Sequence, residues 1–383
     1  MGIYLNPRND GFQESINSEI YVDQTGLISY TNSVLDTEQR FVCVTRPRRF
    51  GKTMSAEMLV SYYCRACDSR EQFQNLKIAQ DESFEKHLNQ YNVLFLNILH
   101  FLSQAKDAEN VIDYLQEVVL EDFQEEYSDS IDFTDATLVD VLMQIYADTG
   151  TSFIFIIDEW DCIFREKKYD IELQMKYMNF LQLLLKDMPY VTLAYMTGIL
   201  PIKKYGTQTG VNMFDEFTMT EPKRLAKYIG FTEYEVQALC EKYQMDFDET
   251  KRWYDGYQVA KGVRIYNPKS VVDAMRHREF HSYWVHTECL EALSVYIDMD
   301  IEGLKEVILQ LLDGKRCGVD TRMFVNDMVT FADKDAVLTL LIHLGYLAYD
   351  VAAKKVYIPN GEIRDEFIHA IEHSGWEEAS VYN

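Results

Sequence analysis

Gly51, Lys52 and Thr53 are the first residues whose types and spacing could do chemistry. They follow a basic loop and the short apolar run Phe41–Thr45, and residues 54–63 after them have the composition of a helix. A strand, a loop and a helix N-terminus in this order bind phosphate, because exposed N–H groups and the helix dipole favour an anion. In such a site Lys52 would contact the β- and γ-phosphates, and the Thr53 hydroxyl would ligate Mg²⁺.

The loop departs from the phosphate-binding pattern G-x-x-x-x-G-K-[ST] at its first position, where Arg46 stands in place of glycine. A side chain there cannot adopt a positive φ as freely as glycine, so we expect the loop to turn differently. Gly-Lys-Thr alone also occurs by chance in long chains. The motif therefore needs a second element that points to the same chemistry.

Asp158 and Glu159 supply that element, about a hundred residues further along the chain. They follow the apolar run at residues 153–157. An apolar strand that ends in two carboxylates is the Walker B arrangement. Asp158 could hold Mg²⁺ through water beside Thr53. The Glu159 side chain points the other way on a strand, which would leave it free to polarise an attacking water as a general base. The alternative is a strand that ends in Asp-Glu without chemistry, and the spacing from Gly-Lys-Thr disfavours it.

Further buried strands are predicted at residues 91–98 and 190–198, because both runs are short, apolar and not alternating. Thr197 lies near the end of the second run, where additional-strand phosphate-loop ATPases place sensor 1, a hydroxyl or amide that reads the γ-phosphate. A helix cap or a turn before Gly198 is the alternative role. Residues 213–219 could add a last strand.

The alternation of strands and helices over about the first two hundred residues predicts a parallel sheet with helices on both faces. From Glu221 onward the pattern is mainly helical, with a hairpin at residues 257–266. The expected fold class is α/β: an additional-strand P-loop NTPase domain at residues 1–222, then a mainly helical C-terminal domain, lid-like or winged-helix-like, at residues 223–383. Helices are predicted at residues 107–127, 135–148, 171–187, 223–245, 247–255, 268–278, 299–313 and 335–347.

The composition is that of a globular chain, with 383 residues, 47% hydrophobic and 26% charged. The formal net charge of -25 repels nucleic acid at long range, although a local basic patch could still bind it. Acidic balance is also ordinary for soluble bacterial-type proteins. The sequence has no N-terminal signal segment and no run of about eighteen apolar residues, so we expect a cytoplasmic protein with no membrane partner.

Seven cysteines at irregular spacing favour a reducing compartment over a disulfide framework. Cys64 and Cys67 form a C-x-x-C in the helix that is predicted to run from the phosphate-binding motif to about Cys67. No second pair or nearby histidine completes a zinc set. Helix packing is therefore the favoured interpretation, and metal or redox chemistry is the alternative.

Several motifs together resemble those of a known family. They lie at residues 21–25, 46–53, 157–161, 197–199, 253–257, 266–268 and 283–284. On these motifs nearly the whole chain resembles the AAA-ATPase-like family found in bacteria, a divergent additional-strand group related to signal-transduction ATPases. The string Arg-Pro-Arg-Arg-Phe-Gly-Lys-Thr is the most specific part. The family looks to carry Arg-Pro-Arg-Arg as its usual loop, which explains the absent first glycine.

The resemblance implies a role for each matching residue. Lys52 and Thr53 would bind phosphate and Mg²⁺. Asp158 would hold the metal, Glu159 would be the base, and Thr197 is the remaining catalytic candidate beside Lys52. The candidates for nucleotide binding are Tyr21, Asp23, Arg46, Arg48, Arg49, Phe50, Gly51, Lys52, Thr53 and Met54.

Three parts of this assignment have alternatives. The loop arginines would add positive charge around the phosphates or would form a solvated basic loop. Residues 21–28 would wrap the adenine side of the nucleotide or would pack as an N-terminal strand. Many family members look like fusions with a C-terminal PD-(D/E)xK nuclease-type domain, which would begin soon after residues 362–367, so this chain would be either truncated or a member that works without a nuclease.

The leading functional hypothesis is an Mg²⁺-dependent ATPase whose nucleotide state moves the helical domain as a conformational switch. The second is a non-hydrolysing scaffold that binds ATP as a structural ligand, as a nucleic-acid-associated defence or signalling component. A small-molecule kinase is disfavoured because the carboxylates are placed for water activation. A GTPase is disfavoured because no [Asn/Thr]-Lys-x-Asp string exists.

The expected ligands are ATP and Mg²⁺. The expected partners are further copies of the chain, and a protein or nucleic acid that binds the C-terminal domain. An arginine or lysine finger would raise the rate. Lys203, Lys204 and Arg224 follow sensor 1 in sequence, but nothing distinguishes them from surface charges.

Overall fold

The computed structural model describes residues 2–129, 131–202, 211–260, 262–284, 289–322, 324–325 and 328–382. The chain forms two compact units. The first contains Met1–Thr45 and Lys52–Glu216, and the second contains Phe217–Asn326, Thr330–Asn383 and the short loop Arg46–Gly51. The basic loop of the phosphate-binding motif thus groups with the second unit. The domain boundary at residues 222 and 223 stays a prediction.

The first unit is built on a five-stranded sheet. Its strands are β1 (Phe41–Thr45), β2 (Asn92–Asn97), β3 (Phe153–Asp158), β4 (Val191–Gly198) and β5 (Asp215–Phe217). They lie in the order β2-β3-β4-β1-β5, and the pairs β2–β3, β3–β4 and β1–β4 are parallel. Strand β4 therefore separates β1, which precedes the loop, from β3, which carries Asp158. This additional-strand order confirms the predicted P-loop NTPase fold.

The helices around this sheet have bounds that the sequence sets locally. They are α1 (Asp10–Asn17), α2 (Gly26–Val34), α3 (Lys52–Tyr63), α4 (Arg70–Phe73), α5 (Phe84–His87), α6 (Ile98–Gln104), α7 (Val111–Tyr127), α8 (Leu138–Thr149), α9 (Cys162–Glu166) and α10 (Ile171–Leu185). Helix α8 is an example. Thr137 and Asp140 form a reciprocal capping box at its start, and Gly150, with a φ of 70°, ends it.

Strands β1, β3 and β4 are buried along their whole length. A strand buried on both sides needs helices against both faces of its sheet, which is why these runs are apolar without alternation. The core around them includes Leu94, Leu142, Phe155, Ile157 and Leu181. This packing fixes the carboxyl ends of the strands, where the candidate residues lie.

The second unit is mainly helical, with two small antiparallel sheets. Its elements are β6 (Phe231–Thr232), α11 (Glu233–Tyr243), α12 (Phe247–Tyr254), β7 (Tyr257–Ala260), β8 (Val263–Tyr266), α13 (Pro268–His277), α14 (Cys289–Ile297), α15 (Leu304–Leu312), β9 (Cys317–Gly318), α16 (Lys334–Leu344), β10 (Ala348–Asp350), β11 (Lys355–Tyr357) and α17 (Gly361–His373). The sheets have the orders β6-β8-β7 and β10-β11-β9. The predicted hairpin is confirmed as β7 and β8.

Several predicted helices differ from the observed ones in their bounds. Residues 223–245 are not one helix, because α11 begins only at Glu233, where Thr232 and Glu235 form a capping box after the short strand β6. Helix α3 ends at Tyr63 rather than near Cys67. Throughout the described part of the chain, no helix is both long and apolar enough to cross a membrane.

Candidate functional site

The Asp158 carboxylate, at the end of β3, is fully buried and accepts hydrogen bonds from three neighbouring elements. Its Oδ2 accepts hydrogen bonds from Thr53 Oγ1 at 2.8 Å and from Asn97 Nδ2 at 3.2 Å. Its Oδ1 accepts one from the Thr197 hydroxyl. The structure therefore brings Thr53, Asp158 and Thr197 together, as the sequence predicts, and adds Asn97.

The sheet register explains this convergence. Asn97, the last residue of β2, lies beside Asp158 in the parallel β2–β3 ladder. Thr197 lies near the end of β4, where Val44 of β1 is its partner. The carboxyl ends of parallel strands meet at one edge of the sheet, and the N-terminus of α3 carries Thr53 to the same edge. Sequence analysis missed Asn97, although a polar residue at the end of a buried strand was an available signal.

Lys52 is buried, with 5% of its surface exposed, and lies within the field of three carboxylates. Burial lowers the pKa of its ammonium group, whereas Glu159, Asp161 and Asp158 oppose that shift. An ammonium beside these carboxylates is a cation held at the sheet edge, next to the first N–H groups of α3. Lys52 and Asp158 thus share one environment despite their separation of about a hundred residues in sequence.

Glu159 has a φ of 55° and lies in a bend after β3 ends at Asp158. The argument that Glu159 points away from Asp158 as the next residue of a strand is therefore wrong, because the strand has already ended. Its carboxylate instead forms an ion pair with the guanidinium of Arg165 on α9. Burial raises the pKa of Glu159, while Lys52 and Arg165 oppose that shift. Its role as a base stays a prediction.

Asp161 and Arg165 complete a buried charge network that sequence analysis did not single out. Arg165 Nε donates to Asp161 Oδ2 at 3.1 Å, and Asp161 is fully buried. The same oxygen accepts from the backbone N–H groups of Ile199, at 3.1 Å, and Leu200, at 2.8 Å. The network therefore connects the turn after β3 with the turn after β4. The spacing of four residues between Asp161 and Arg165 was a signal for a helical pair.

Gly198 lies where these two turns meet. A Cβ atom at this position would lie 2.5 Å from Cδ1 of Trp160 and 2.6 Å from Asp161 Oδ1. The backbone N–H of Trp160 donates to the Thr197 carbonyl at 3.0 Å, which holds the two turns at this separation. Only glycine fits between them, so the position after Thr197 is constrained by packing.

The loop Arg46–Gly51 has well-defined partners within the second unit. Arg46 is fully buried, and its Nη1 and Nη2 donate to the carbonyls of Phe217 and Leu225 at 3.1 and 3.2 Å. A phosphate contact for Arg46 stays a prediction, and this placement does not favour it, because both terminal nitrogens already bind protein oxygens. The backbone turns at Gly51, whose φ is 90°.

The other loop side chains extend this attachment. Arg49 has a φ of 70°, and its Nη1 donates to the Tyr283 carbonyl at 3.1 Å. The Phe50 ring packs edge-on against Tyr257, with ring centroids 5.4 Å apart. Arg48 is exposed at the loop surface. Tyr257 and Tyr283, which belong to motifs of the second unit, thus contact the loop. Sequence analysis did not predict these contacts.

Tyr21 and Asp23 make their described contacts elsewhere in the first unit. Asp23 Oδ1 accepts from the Thr25 backbone N–H at 2.9 Å, and its Oδ2 accepts from the Lys77 backbone N–H at 2.6 Å. Tyr21 packs edge-on against Phe12. Residues 19–24 form no strand, so the alternative of an N-terminal packing strand is wrong. Contact with adenine stays a prediction for both residues.

The remaining candidates are Met54 and the three basic residues that follow Thr197 in sequence. Met54 lies in the first turn of α3, where backbone N–H groups have no partner within a helix. Arg224 is exposed on the short 3₁₀ helix Lys223–Leu225. Lys203 and Lys204 lie outside the described residues.

The donor set suits a hard divalent cation. The Thr53 hydroxyl and the Asp158 carboxylate are oxygen ligands of the kind that Mg²⁺ takes in proteins, usually with waters and substrate phosphates completing the shell. Among the residues with described positions, no group of three or more His, Cys, Asp or Glu side chains could hold a metal alone. The site is therefore consistent with a cation that arrives together with its phosphate ligand.

Comparisons with known proteins give one family and several distant relatives. Residues 10–207 match a family model described as AAA-ATPase-like, predicted AAA-ATPase. A curated protein of Azotobacter chroococcum mcd 1, described as an uncharacterised protein in the vnfD 5′ region, is 24% identical over 277 residues. The match covers 70% of this chain and 50% of the relative, so the chain spans about half the length of that relative.

Several solved structures have some similarity to this chain, and two are from Aeropyrum pernix. The ORC2 protein of Aeropyrum pernix, in ADPNP–ADP complexes, has a TM-score of 0.39 at 10% identity, with 94% of this chain and 98% of that chain covered. The ORC1 protein of Aeropyrum pernix in complex with DNA has a TM-score of 0.32 at 13% identity, with 98% of both chains covered. Similarities at this level carry no argument about function.

Proposed function

The chain belongs to the AAA-ATPase-like family, and from that premise we propose that it binds ATP with Mg²⁺ at Lys52, Thr53 and Asp158 and hydrolyses the terminal phosphoanhydride bond. The observation that carries the proposal is the buried ammonium of Lys52 among the carboxylates at the sheet edge. A buried cation at a helix N-terminus, where the first N–H groups have no partner within the helix, is a site for a polyanion. The hydroxyl and carboxylate oxygens next to it suit the accompanying metal.

Each residue then has a defined task. Lys52 and the N-terminal N–H groups of α3 would bind the β- and γ-phosphates, and bound Mg²⁺ would neutralise charge that develops on them. Asp158 and Thr53 would hold the cation. The Thr197 hydroxyl is occupied by Asp158 Oδ1, so its first effect would be to orient that carboxylate. A direct contact between Thr197 and the γ-phosphate would require this hydrogen bond to change.

Glu159 would accept a proton from the attacking water, but its present partner opposes that role. The Glu159 oxygen that pairs with Arg165 is occupied by the guanidinium and is not available to a water. Turnover would therefore require Glu159 to separate from Arg165 before it binds the water. We expect slow basal hydrolysis for this reason, and faster hydrolysis when a partner or a conformational change separates the pair.

The proposed coupling to the helical region follows from the loop contacts. The segment directly before Lys52 is anchored within the second unit through Arg46, Arg49 and Phe50. A loop that shifts when phosphate binds at Lys52 would transmit the shift to its own partners. This supports a nucleotide-dependent conformational switch. Self-association, and binding of a protein or nucleic acid through the C-terminal region, are further proposals.

A second candidate function is favoured by the ion pair between Arg165 and Glu159. If that pair never opens, the chain would bind ATP as a structural ligand and would serve as a non-hydrolysing scaffold. Phosphate release from ATP by the full chain, with Glu159→Gln beside the wild type, distinguishes the two. Glu166→Gln is a matched control, because Glu166 lies 3.7 Å from the same guanidinium but is 47% exposed.

The expected result is measurable turnover by wild type and by Glu166→Gln, and turnover lowered by about 100-fold or more in Glu159→Gln, as for loss of a general base. ATP affinity should be similar in all three proteins. Equal phosphate release from wild type and Glu159→Gln would contradict hydrolysis at this site. Absence of ATP binding by the wild type would contradict both candidate functions.

A further inference from the structure

Cys64 and Cys67 lie in a turn rather than in the helix where the sequence placed them. Helix α3 ends at Tyr63, and the backbone N–H of Cys67 donates to the Cys64 carbonyl at 3.1 Å. A turn closed by this hydrogen bond brings its first and last Cα atoms within about 7 Å. A disulfide requires Cα atoms about 4.4–6.8 Å apart, a range that such a turn allows.

The two side chains also point to the same place. Sγ of Cys64 lies 3.5 Å from the Pro7 carbonyl oxygen, and Sγ of Cys67 lies 3.4 Å from the same atom. Both thiols therefore donate to one carbonyl oxygen and are close neighbours. The neighbouring Cys67 side chain lowers the pKa of Cys64, whereas the Cys64 side chain and burial raise the pKa of Cys67.

Access differs between the two cysteines of the pair. Cys67 is half-buried, whereas Cys64 is fully buried and Cys43, Cys162, Cys240 and Cys317 are also buried, so an oxidant from solvent meets Cys67 first. A cavity of about 450 Å³ is lined by Asn6, Arg65 and Ala66, the last two of which separate the cysteines in sequence. A small uncharged oxidant can therefore approach the turn.

We propose that Cys64 and Cys67 form a redox-active dithiol, which hydrogen peroxide converts to an intramolecular disulfide. The Cys67 thiolate attacks one peroxide oxygen, the O–O bond breaks, and Cys67 sulfenic acid and hydroxide are formed. The Cys64 sulfur then attacks the Cys67 sulfur, the S–O bond breaks, and a disulfide and water are formed. In total, two thiols and one peroxide give one disulfide and two waters.

This inference does not depend on the proposed function, because the turn follows the C-terminal end of α3 while Lys52 and Thr53 lie at its N-terminus. Its basis is the combination of turn geometry, the contact of both sulfurs with the Pro7 carbonyl oxygen, and the partial exposure of Cys67. The interpretation of the C-x-x-C as helix packing assumed a helix through Cys67, and that helix is absent.

Arg65 lies between the two cysteines, so tryptic digestion gives a direct test. Folded full-length protein is treated with hydrogen peroxide, free thiols are blocked, and the digest is analysed by mass spectrometry. The expected product is a disulfide that joins the peptide of residues 53–65 to the peptide of residues 66–70. Dithiothreitol should separate the two peptides again.

Variants and an unfolded sample make the test specific. Cys64→Ser and Cys67→Ser should give no linked peptide, and Cys64→Ser should accumulate sulfenic acid on Cys67. Cys240→Ser is the matched control and should behave as wild type, because Cys240 is a buried cysteine in contact with Thr250. The folded wild type should form the bridge at least about tenfold faster than the same protein in urea, where the preformed turn is lost. Absence of the linked peptide, or equal rates in the folded and unfolded protein, would overturn the proposal.

Discussion

The Thr197 hydroxyl donates a hydrogen bond to Asp158 Oδ1 between the neighbouring parallel strands β4 and β3. Thr53 and Asn97 donate to the other oxygen of the same carboxylate. Three neutral donors therefore fix the orientation of Asp158. The residue predicted to read the γ-phosphate is thus also a residue that positions the group proposed to hold the metal.

Replacement of Thr197 by valine should impair the use of Mg²⁺-ATP while the shape of the side chain is kept. A hydrogen bond to a charged group contributes about 1.5–3 kcal/mol, so we expect kcat/KM for ATP to fall by roughly 10- to 100-fold. Thr197→Ser keeps the hydroxyl and should stay close to wild type. Steady-state phosphate release at several Mg²⁺ concentrations measures the effect, and equal kcat/KM values for the valine and serine variants would refute it.

Replacement of Lys52 by alanine should weaken ATP binding on the order of 100-fold, because more than one charge-assisted contact to phosphate is lost. Isothermal titration with ATP and Mg²⁺ measures this. Lys176→Ala is a suitable control, since Lys176 is 47% exposed and pairs with Asp113 on the surface. Removal of Mg²⁺ with EDTA should weaken binding to wild type in the same assay. Unchanged affinity in Lys52→Ala would end the case for this site.

The ion pair between Arg165 and Glu159 should contribute to the free energy of unfolding as well as affect activity. Removal of Arg165 leaves the buried Asp161 and the partly buried Glu159 without their cation, so Arg165→Met should lower the free energy of unfolding by about 3–5 kcal/mol. Adding Glu159→Gln should recover part of this loss. Denaturant unfolding of the two single variants and the double variant gives the coupling energy. Strict additivity would show that the ion pair does not form in solution.

Glu362 should make the second unit less stable as pH rises. Burial raises the pKa of this carboxyl from its ordinary value of 4.5 to about 8, although Ser270 and the N–H groups of Tyr283 and Trp284 oppose the shift. The neighbouring Glu366 raises it further. The folded state therefore retains a proton that the unfolded state releases above pH 4.5, and stability falls between about pH 4.5 and pH 8.

Glu362→Gln tests this prediction, since glutamine does not ionise. The wild type should lose up to roughly 5 kcal/mol relative to this variant between pH 4.5 and pH 8, and the difference should be constant above that range. Glu372→Gln, at an exposed position on the same helix α17, should show no such pH dependence relative to wild type. A flat difference curve for Glu362→Gln would contradict the raised pKa.

The strands, and the approach of Lys52 to Asp158 at their ends, could be predicted because they depend on the local pattern of apolar residues. Apolar runs without alternation predict buried parallel strands, and side chains at their carboxyl ends must meet at one edge. Asn97 escaped prediction because its contact depends on the register of β2 beside β3, which the sequence does not show.

The ion pair between Glu159 and Arg165 was not predicted, for a different reason. The strand ends at Asp158 and the chain turns through a positive φ at Glu159, a conformation that a glutamate rarely adopts and that periodicity does not report. The helix predicted at residues 223–245 failed because its apolar spacing continued through a 3₁₀ turn and the strand β6. Tertiary pairing with β8 decided that segment.

The attachment of Arg46 to the carbonyls of Phe217 and Leu225 limits how the chain can be dissected or recombined. A fragment that stops before residue 217 would keep Arg46 and lose both carbonyl oxygens that accept its hydrogen bonds. The guanidinium would then need water or other protein acceptors. Exchange of the C-terminal half for an unrelated domain would have the same result. The two halves are therefore expected to be inherited together, and mutations in one should select for compensating changes in the other.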